Sequence, residues 1–226
     1  MYSENLYGNK SMIKMYLKLK RNVYDAMKYP FNLVLNKTSH LYYRILVKLN
    51  VNNVSTIMDI GCGKIPEKII RPKIHYCIDP YLPYLQAIQK TNDRFWIMVE
   101  GDWRIATDIM KKEQINSVFL IDVIEHIDKQ EGENLLKLTE SLISDQIIVF
   151  TPLGYLHQSC SKDGKDGWGM DGATFQQHKS GWEPSDFGDG WKTWILPYYH
   201  IVDNLNNSIK PHGAILAIYN KKDVRK

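Results

Sequence analysis

The stretch Ser55-Thr-Ile-Met-Asp-Ile-Gly-Cys-Gly-Lys64 constrains the fold more than any other part of the chain. Thr56, Ile57, Met58 and Ile60 are apolar or β-branched, as an interior parallel strand requires. Gly61 and Gly63 follow at once and remove Cβ atoms where the chain must turn tightly. Such a turn lets a ligand lie against bare backbone, and Asp59 puts a carboxylate beside it. A glycine turn alone is weak evidence. It gains weight from the strands that follow.

Ile74-His-Tyr-Cys-Ile-Asp79 reads as a second strand ending in a carboxylate, just before Pro80. Asp79 stands at the spacing from the glycine turn where nucleotide-binding sheets place an acid on ribose hydroxyls. A carboxylate there can accept from two vicinal hydroxyls. Phe95 to Val99 is a third strand, leading into Glu100-Gly-Asp-Trp103. Asp102 could accept from an adenine amino group, with Trp103 packing on the ring. Ser117 to Ile121 is a fourth strand, left through Asp122-Val-Ile-Glu-His-Ile127. Gln146 to Phe150 is a fifth, closed by Thr151-Pro-Leu-Gly154. Helices are expected at 84–90, 105–114 and 129–142, the last amphipathic through Leu135, Leu138 and Leu142. Strands alternating with helices predict a mostly parallel sheet with helices on both faces. Ligands in such sheets sit outside the carboxyl ends of the strands. Asp59, Gly61, Asp79, Asp102, Asp122 and Thr151 all fall at such ends.

Two further strands, at 191–199 and 214–220, predict an antiparallel C-terminal edge hairpin, bringing the sheet to seven strands. Before them, residues 155–190 are rich in glycine and aromatics, among them Trp168, Phe175, Trp182 and Phe187. A long aperiodic loop within a compact domain is usually functional or disordered, and tryptophans argue against disorder. The loop is expected to be a lid or substrate platform; the plainer alternative is that its tryptophans only pin it to the domain. Residues 1–50 are expected to form an N-terminal helical cap on a domain spanning 51–226. Within the cap, Asn9 to Met27 and His40 to Leu49 read as helices. Lys10, Lys14, Lys18 and Arg21 share one face of the first, which suits a solvated face or peripheral contact with a membrane surface.

Composition excludes some classes. Of 226 residues, 44% are hydrophobic and 24% charged, as in ordinary soluble domains. The formal charge of +4 is too small to argue for a nucleic-acid partner. Cys62, Cys77 and Cys160 form no CxxC pair, against both a disulfide framework and a cysteine zinc site. No apolar run is long enough to span a bilayer. The unpaired cysteines make a reducing, cytoplasmic setting the expectation. The oligomeric state is left open.

Together these stretches resemble the class I S-adenosylmethionine-dependent methyltransferases. The resemblance covers about Val54 to Gly154, and weakens beyond. Met58-Asp-Ile-Gly-Cys-Gly63 is similar to the family's first motif, Asp79 to its ribose-binding acid, and Gly101-Asp102 to its adenine-contacting pair. Asp122 to Ile127 and Ile147 to Gly154 are similar to its motifs after strands four and five. Pro66 stands where a dinucleotide fingerprint needs its third glycine, which counts against a nicotinamide oxidoreductase. The resemblance implies a Rossmann-like α/β fold that binds S-adenosylmethionine and releases S-adenosylhomocysteine. It implies cofactor contacts from Asp59, Gly61, Cys62, Gly63, Asp79, Pro80, Gly101, Asp102, Trp103 and Asp122.

On a helix beginning at Asp122, residues Asp122, Glu125 and His126 would face one site. With His178 they could hold a divalent metal. This is similar to the ubiquinone-pathway O-methyltransferases and to the small-RNA 3′-terminal 2′-O-methyltransferases. The chain departs from the latter in having Asp122 for the first Glu and no basic RNA-binding extension. The reading preferred here is metal-free: Glu125, His126 and His178 line an acceptor pocket, with His126 as base or orienting group. His75 is read as an ordinary structural histidine. The acceptor is expected to be small or medium-sized and polar, a sugar or glycan precursor methylated at oxygen. The rivals are a metal-dependent RNA 2′-O-methyltransferase and a non-catalytic binding protein of the same fold.

Overall fold

The computed structural model describes residues 31–158, 163–203, 205 and 207–224. The basic segment at 9–27 and Cys160 lie outside them. Seven strands form one sheet: β1 Thr56–Ile60, β2 Ile74–Asp79, β3 Phe95–Glu100, β4 Ser117–Ile121, β5 Gln146–Pro152, β6 Trp191–Val202 and β7 Ser208–Asn220. Their order is β3-β2-β1-β4-β5-β7-β6. The first five are parallel, and β7 pairs antiparallel with both β5 and β6. This is the Rossmann-like methyltransferase fold, with the antiparallel edge hairpin that the sequence predicts. The order reverses between β1 and β4, so a crevice opens at their carboxyl ends.

The strands alternate their side chains between two apolar layers. On one face Met58, Val118, Leu120, Ile147, Val149 and Ile215 pack with helices α3 (Trp103–Met110) and α4 (Lys129–Leu142). On the other, Ile57, Phe119, Ile148 and Leu216 meet α1, residues 31–50, through Leu46 and Val47. Cys62, Cys77, Leu85 and Ile88 extend that second layer under α2 (Leu82–Ala87). A four-residue helix, α5 (Lys221–Val224), follows β7.

Two differences from the sequence reading have physical causes. Helix α1 already includes residues 31–39, ahead of His40. The turns that carry Asn36 and Ser39 are held by a break in the β6–β7 register between Leu196 and His200. That break leaves strand carbonyls free: Asn36 Nδ2 donates to those of Tyr198 and Tyr199, and Ser39 Oγ to that of Pro197. Pro66 and Pro72 leave room for only a short helix in the crossover from β1 to β2, and the crossover contains none. No helix begins at Asp122. Its φ is +53°, left-handed for a non-glycine residue, and only a single 3-10 turn, Ile124–His126, follows.

Candidate active site

The tips of β1 and β4 form the centre of the site. Gly61 has φ +67°, and its N–H and that of Cys62 both donate to the Ile78 carbonyl, folding the turn back over β2. A Cβ on Gly61 would meet Val123 Cγ2 at 2.7 Å, so only glycine fits between the two strand ends. Gly63 has φ +55° and its N–H donates to Asp79 Oδ2 at 2.9 Å. Asp79 Oδ1 accepts from Tyr81 N–H, also at 2.9 Å. The carboxylate of Asp79 thus stands fixed and nearly buried at the crevice wall. Burial raises its pKa, while the Tyr81 and Gly63 N–H groups pull it down. Each oxygen keeps acceptor capacity for a further donor.

The crevice has a volume of about 320 Å³. Gly61, Asp79, Pro80, Gly101, Asp102, Trp103, Asp122 and His126 all line it. Residues named from four separate stretches therefore converge on one wall. Asp102 N-caps α3 by accepting from Arg104 N–H at 2.9 Å, and its Oδ2 takes Arg104 Nη1 at 2.6 Å. The other end of the Arg104 guanidinium reaches Glu131, and its plane lies 4.5 Å from the Trp103 ring. The indole Nε1 of Trp103 is buried without a partner.

A second cavity of about 210 Å³ lies beside the first, lined by Asp59, Cys62, Glu67 and Trp168. The two share Gly61, Asp122 and Gln176. They therefore meet at the switch point of the sheet. Asp122 is accessible to the water of both cavities, yet protein surrounds it closely and raises its carboxyl pKa. Asp59 is turned inward: its Oδ2 accepts from Glu67 N–H at 2.6 Å and lies 3.7 Å from His75 Nε2. Burial and Asp59 together raise the Glu67 carboxyl to about 7. His75 is fully buried, with its Nε2 facing the Asp59 carboxylate and its Nδ1 3.4 Å from Arg94 Nη1.

The 3-10 turn after β4 separates the side chains that a helix would have aligned. Glu125 is almost fully buried; its Oε2 accepts from Thr151 Oγ1 at 2.9 Å and its Oε1 has no partner. Burial, reinforced by Asp122, raises its pKa well above the carboxylate range. His126 Nδ1 sits 3.2 Å from the Gln177 carbonyl, which can only accept, so Nδ1 carries the proton and Nε2 keeps its lone pair. Burial and the neighbouring His178 lower its pKa to about 4. His178 Nδ1 likewise meets the Leu156 carbonyl at 2.7 Å, and the two imidazoles lie 4.8 Å apart. One ligand atom each from Glu125, His126 and His178 falls within 4.8 Å of the others. Asp122 does not join that group.

The long loop before β6 divides into two parts with different work. Its later part is a pin. Trp182 is fully buried against Gly132 of α4, with Lys129 Nζ 3.7 Å from its ring, and Phe187 packs beside it. The N–H groups of Lys179 and Ser180 clamp the Glu125 carbonyl. Its earlier part covers the site. Asp166 Oδ1 accepts from the N–H groups of Trp168 and Met170, and its Oδ2 accepts from the Tyr84 hydroxyl. That knot lays Trp168 directly over Gly63, while Phe175 stacks on Tyr81 and lines the larger crevice. Tyr84, Arg104, Glu131, Gln176 and Lys179 also line the crevice and escape sequence reasoning. Only Phe175, an aromatic in a glycine-rich loop, leaves a signal there.

No protein-family model matches the chain, and no curated protein matches it. Solved structures do. The complex of DhpI with SAH gives a TM-score of 0.51 at 12% identity, over 91% of this chain and 94% of that one. The small RNA methyltransferase HEN1 gives 0.53 at 14% identity, over 84% of this chain and 26% of that one. The magnesium protoporphyrin IX methyltransferase ChlM from Synechocystis PCC 6803, with bound SAM, gives 0.48 at 12%, over 81% and 78%. Structural neighbours thus include SAM-dependent methyltransferases, and at these identities the likeness is one of fold. The chain spans about a quarter of HEN1.

Proposed function

We propose that the chain is an S-adenosylmethionine-dependent methyltransferase acting on a small or medium-sized polar acceptor, at oxygen. One observation carries this reading. The crevice at the switch point gathers Gly61, Asp79, Gly101, Asp102, Trp103 and Asp122, from four strand ends, in a space the size of a nucleoside. A sugar or glycan precursor is the acceptor that suits the aromatic lid formed by Trp168.

Bound in the crevice, S-adenosylmethionine supplies an electrophilic methyl group on a positively charged sulfur. The residues do the rest. Asp79 holds the ribose, its carboxylate already oriented by two N–H groups. Trp103 and Asp102 receive the adenine end. Asp122, where the two cavities meet, sets its carboxyl group beside the sulfur, whose positive charge favours the ionised form against the burial that raises its pKa. The second cavity takes the acceptor under Trp168, which excludes water. An acceptor hydroxyl that reaches past Asp122 into the larger crevice, which His126 lines, passes its proton to His126 Nε2, neutral and unprotonated. Glu125, tied to Thr151, positions the turn that carries His126.

A second reading is favoured by the unpartnered Oε1 of Glu125. It lies in a group with His126 and His178 whose Nδ1 atoms face carbonyls, which turns their Nε2 lone pairs to the ligand role; that of His178 accepts from Gln158 Nε2 at 2.8 Å, a bond a cation would displace. Glu125, His126 and His178 would then hold a divalent metal that draws in the acceptor oxygen, as a metal-dependent RNA 2′-O-methyltransferase needs. Unchanged turnover after exhaustive chelation would rule it out.

Replacing Asp79 by Ala tests the main proposal. Hydrogen bonds to a charged group contribute about 1.5–3 kcal/mol, so the Kd for S-adenosylhomocysteine should rise roughly 10- to 150-fold. Calorimetry with equal affinity for both proteins would contradict the ribose assignment.

A further inference from the structure

Helix α1 buries one side against the sheet and leaves the opposite side apolar. Phe31, Val34, Leu41, Tyr42, Ile45 and Leu49 stand between 41% and 75% exposed. At 100° per residue they fall on a single stripe from Phe31 to Leu49, about 27 Å at 1.5 Å per residue. Lys37, Arg44 and Lys48 flank this stripe along one edge. Residues 31–50 contain no Asp or Glu at all. The asymmetry extends beyond the helix. Residues 1–50 hold nine Lys and Arg against only Glu4 and Asp25, whereas the rest of the chain holds 20 against 23 Asp and Glu.

We propose that the outer face of α1 docks on an anionic lipid bilayer, lying in its surface with the stripe sunk among the acyl chains. An amphipathic helix with bases beside its apolar face binds this way through two additive terms, apolar burial and attraction to acidic headgroups. Crossing the bilayer is excluded for α1, because its other side, with Tyr43, Leu46 and Val47, is built into the sheet layer. No described helix is long and apolar enough to span a membrane. Coverage of the stripe by residues 9–27 of the same chain is disfavoured, because Lys10, Lys14, Lys18, Lys20 and Arg21 would be brought against Lys37, Arg44 and Lys48. An acidic bilayer attracts both sets. Docking there would also place the site close to the surface. The Tyr43 ring packs edge-on against Phe150 at the end of β5, and its hydroxyl feels the charges of Glu67 and Asp122 across the second cavity's wall.

The test uses the full chain in sedimentation with vesicles of phosphatidylcholine alone, or with about a third phosphatidylserine. The acidic vesicles should sediment the protein and the neutral ones should bind it far less. Replacing Lys37, Arg44 and Lys48 together with Gln should weaken binding roughly 100-fold, at about 5-fold per base near the surface. Replacing Ile45 and Leu49 with Gln should weaken binding to acidic vesicles at least 10-fold, with the affinity for S-adenosylhomocysteine unchanged. Equal binding by the charge variant and the parent would overturn the proposal. So would absence of vesicle binding, whether the Ile45 and Leu49 variant then loses thermal stability, as a face covered by residues 9–27 would, or loses a concentration-dependent dimer. Capture only by an acidic protein, with none by vesicles, would overturn it too.

Discussion

Replacing Gly63 with Ala isolates the contact that holds the lid over the site. Two costs add. The φ of +55° is left-handed, which costs an L-residue about 1–2 kcal/mol. The new Cβ would also lie 2.4 Å from Cη2 and 2.9 Å from Cζ3 of Trp168. That ring is 38% exposed and can swing outward, but in doing so it leaves its edge-on contact with Tyr84, whose centroid is 4.9 Å away. Such an aromatic pair contributes about 0.5–1.5 kcal/mol. The expected total is about 2–3 kcal/mol in the parent and about 1–2 kcal/mol where Trp168 is already Ala. Urea unfolding of the parent, both single variants and the double variant gives the coupling between the two positions. A coupling of about 0.5–1.5 kcal/mol supports the lid geometry. If the Gly63→Ala cost is the same in both backgrounds within about 0.3 kcal/mol, Trp168 does not lie on Gly63 in solution.

Gly132→Ala sets a gain against a clash. In an exposed helix interior the change would stabilise by about 1 kcal/mol, but here the new methyl would sit 2.5 Å from Cζ2 of the fully buried Trp182. Overpacking a core costs about 1–3 kcal/mol, so net destabilisation is expected in thermal unfolding; a raised Tm would contradict the packing of this loop. His75 predicts a pH dependence. Burial, the largest single effect, pulls its pKa down, but Asp59 and Cys77 together outweigh it and raise it from 6.5 to about 9. A folded-state pKa above the unfolded one contributes stability that is complete below about pH 6.5 and lost as pH rises through about 9. The stability difference between the parent and His75→Gln should therefore shrink by up to about 3 kcal/mol between pH 6 and 10, and a constant difference would refute a charged His75–Asp59 pair.

Elements whose signals are local are legible in the sequence. β2 and α4 occupy Ile74–Asp79 and Lys129–Leu142, the bounds that their patterns predict. Apolar alternation and the Leu135 face are written in consecutive residues. The positions of Asp79, Asp102 and Asp122 along the crevice follow from the same logic, because a parallel sheet brings every strand's carboxyl end to one edge. What depends on contacts between distant residues is not legible. The left-handed φ of Asp122 is one that Asp tolerates better than most residues, but no neighbouring residue announces it. That one backbone angle replaces a helix with a 3-10 turn and takes Asp122 away from Glu125 and His126. The Glu125–Thr151 bond joins residues 26 apart, and the Arg104–Glu131 pair residues 27 apart. Trp168, Trp182 and Phe187 look alike in a list of residues. Only the fold makes Trp182 and Phe187 core and leaves Trp168 above the site.

A crystal of the full chain soaked with S-adenosylhomocysteine tests the central claim most directly. The account predicts the adenine against Trp103 and Asp102, both ribose hydroxyls on Asp79, and the sulfur near Gly61 and Asp122. An empty crevice at saturating ligand, or a nucleoside bound anywhere else on the sheet, would contradict it.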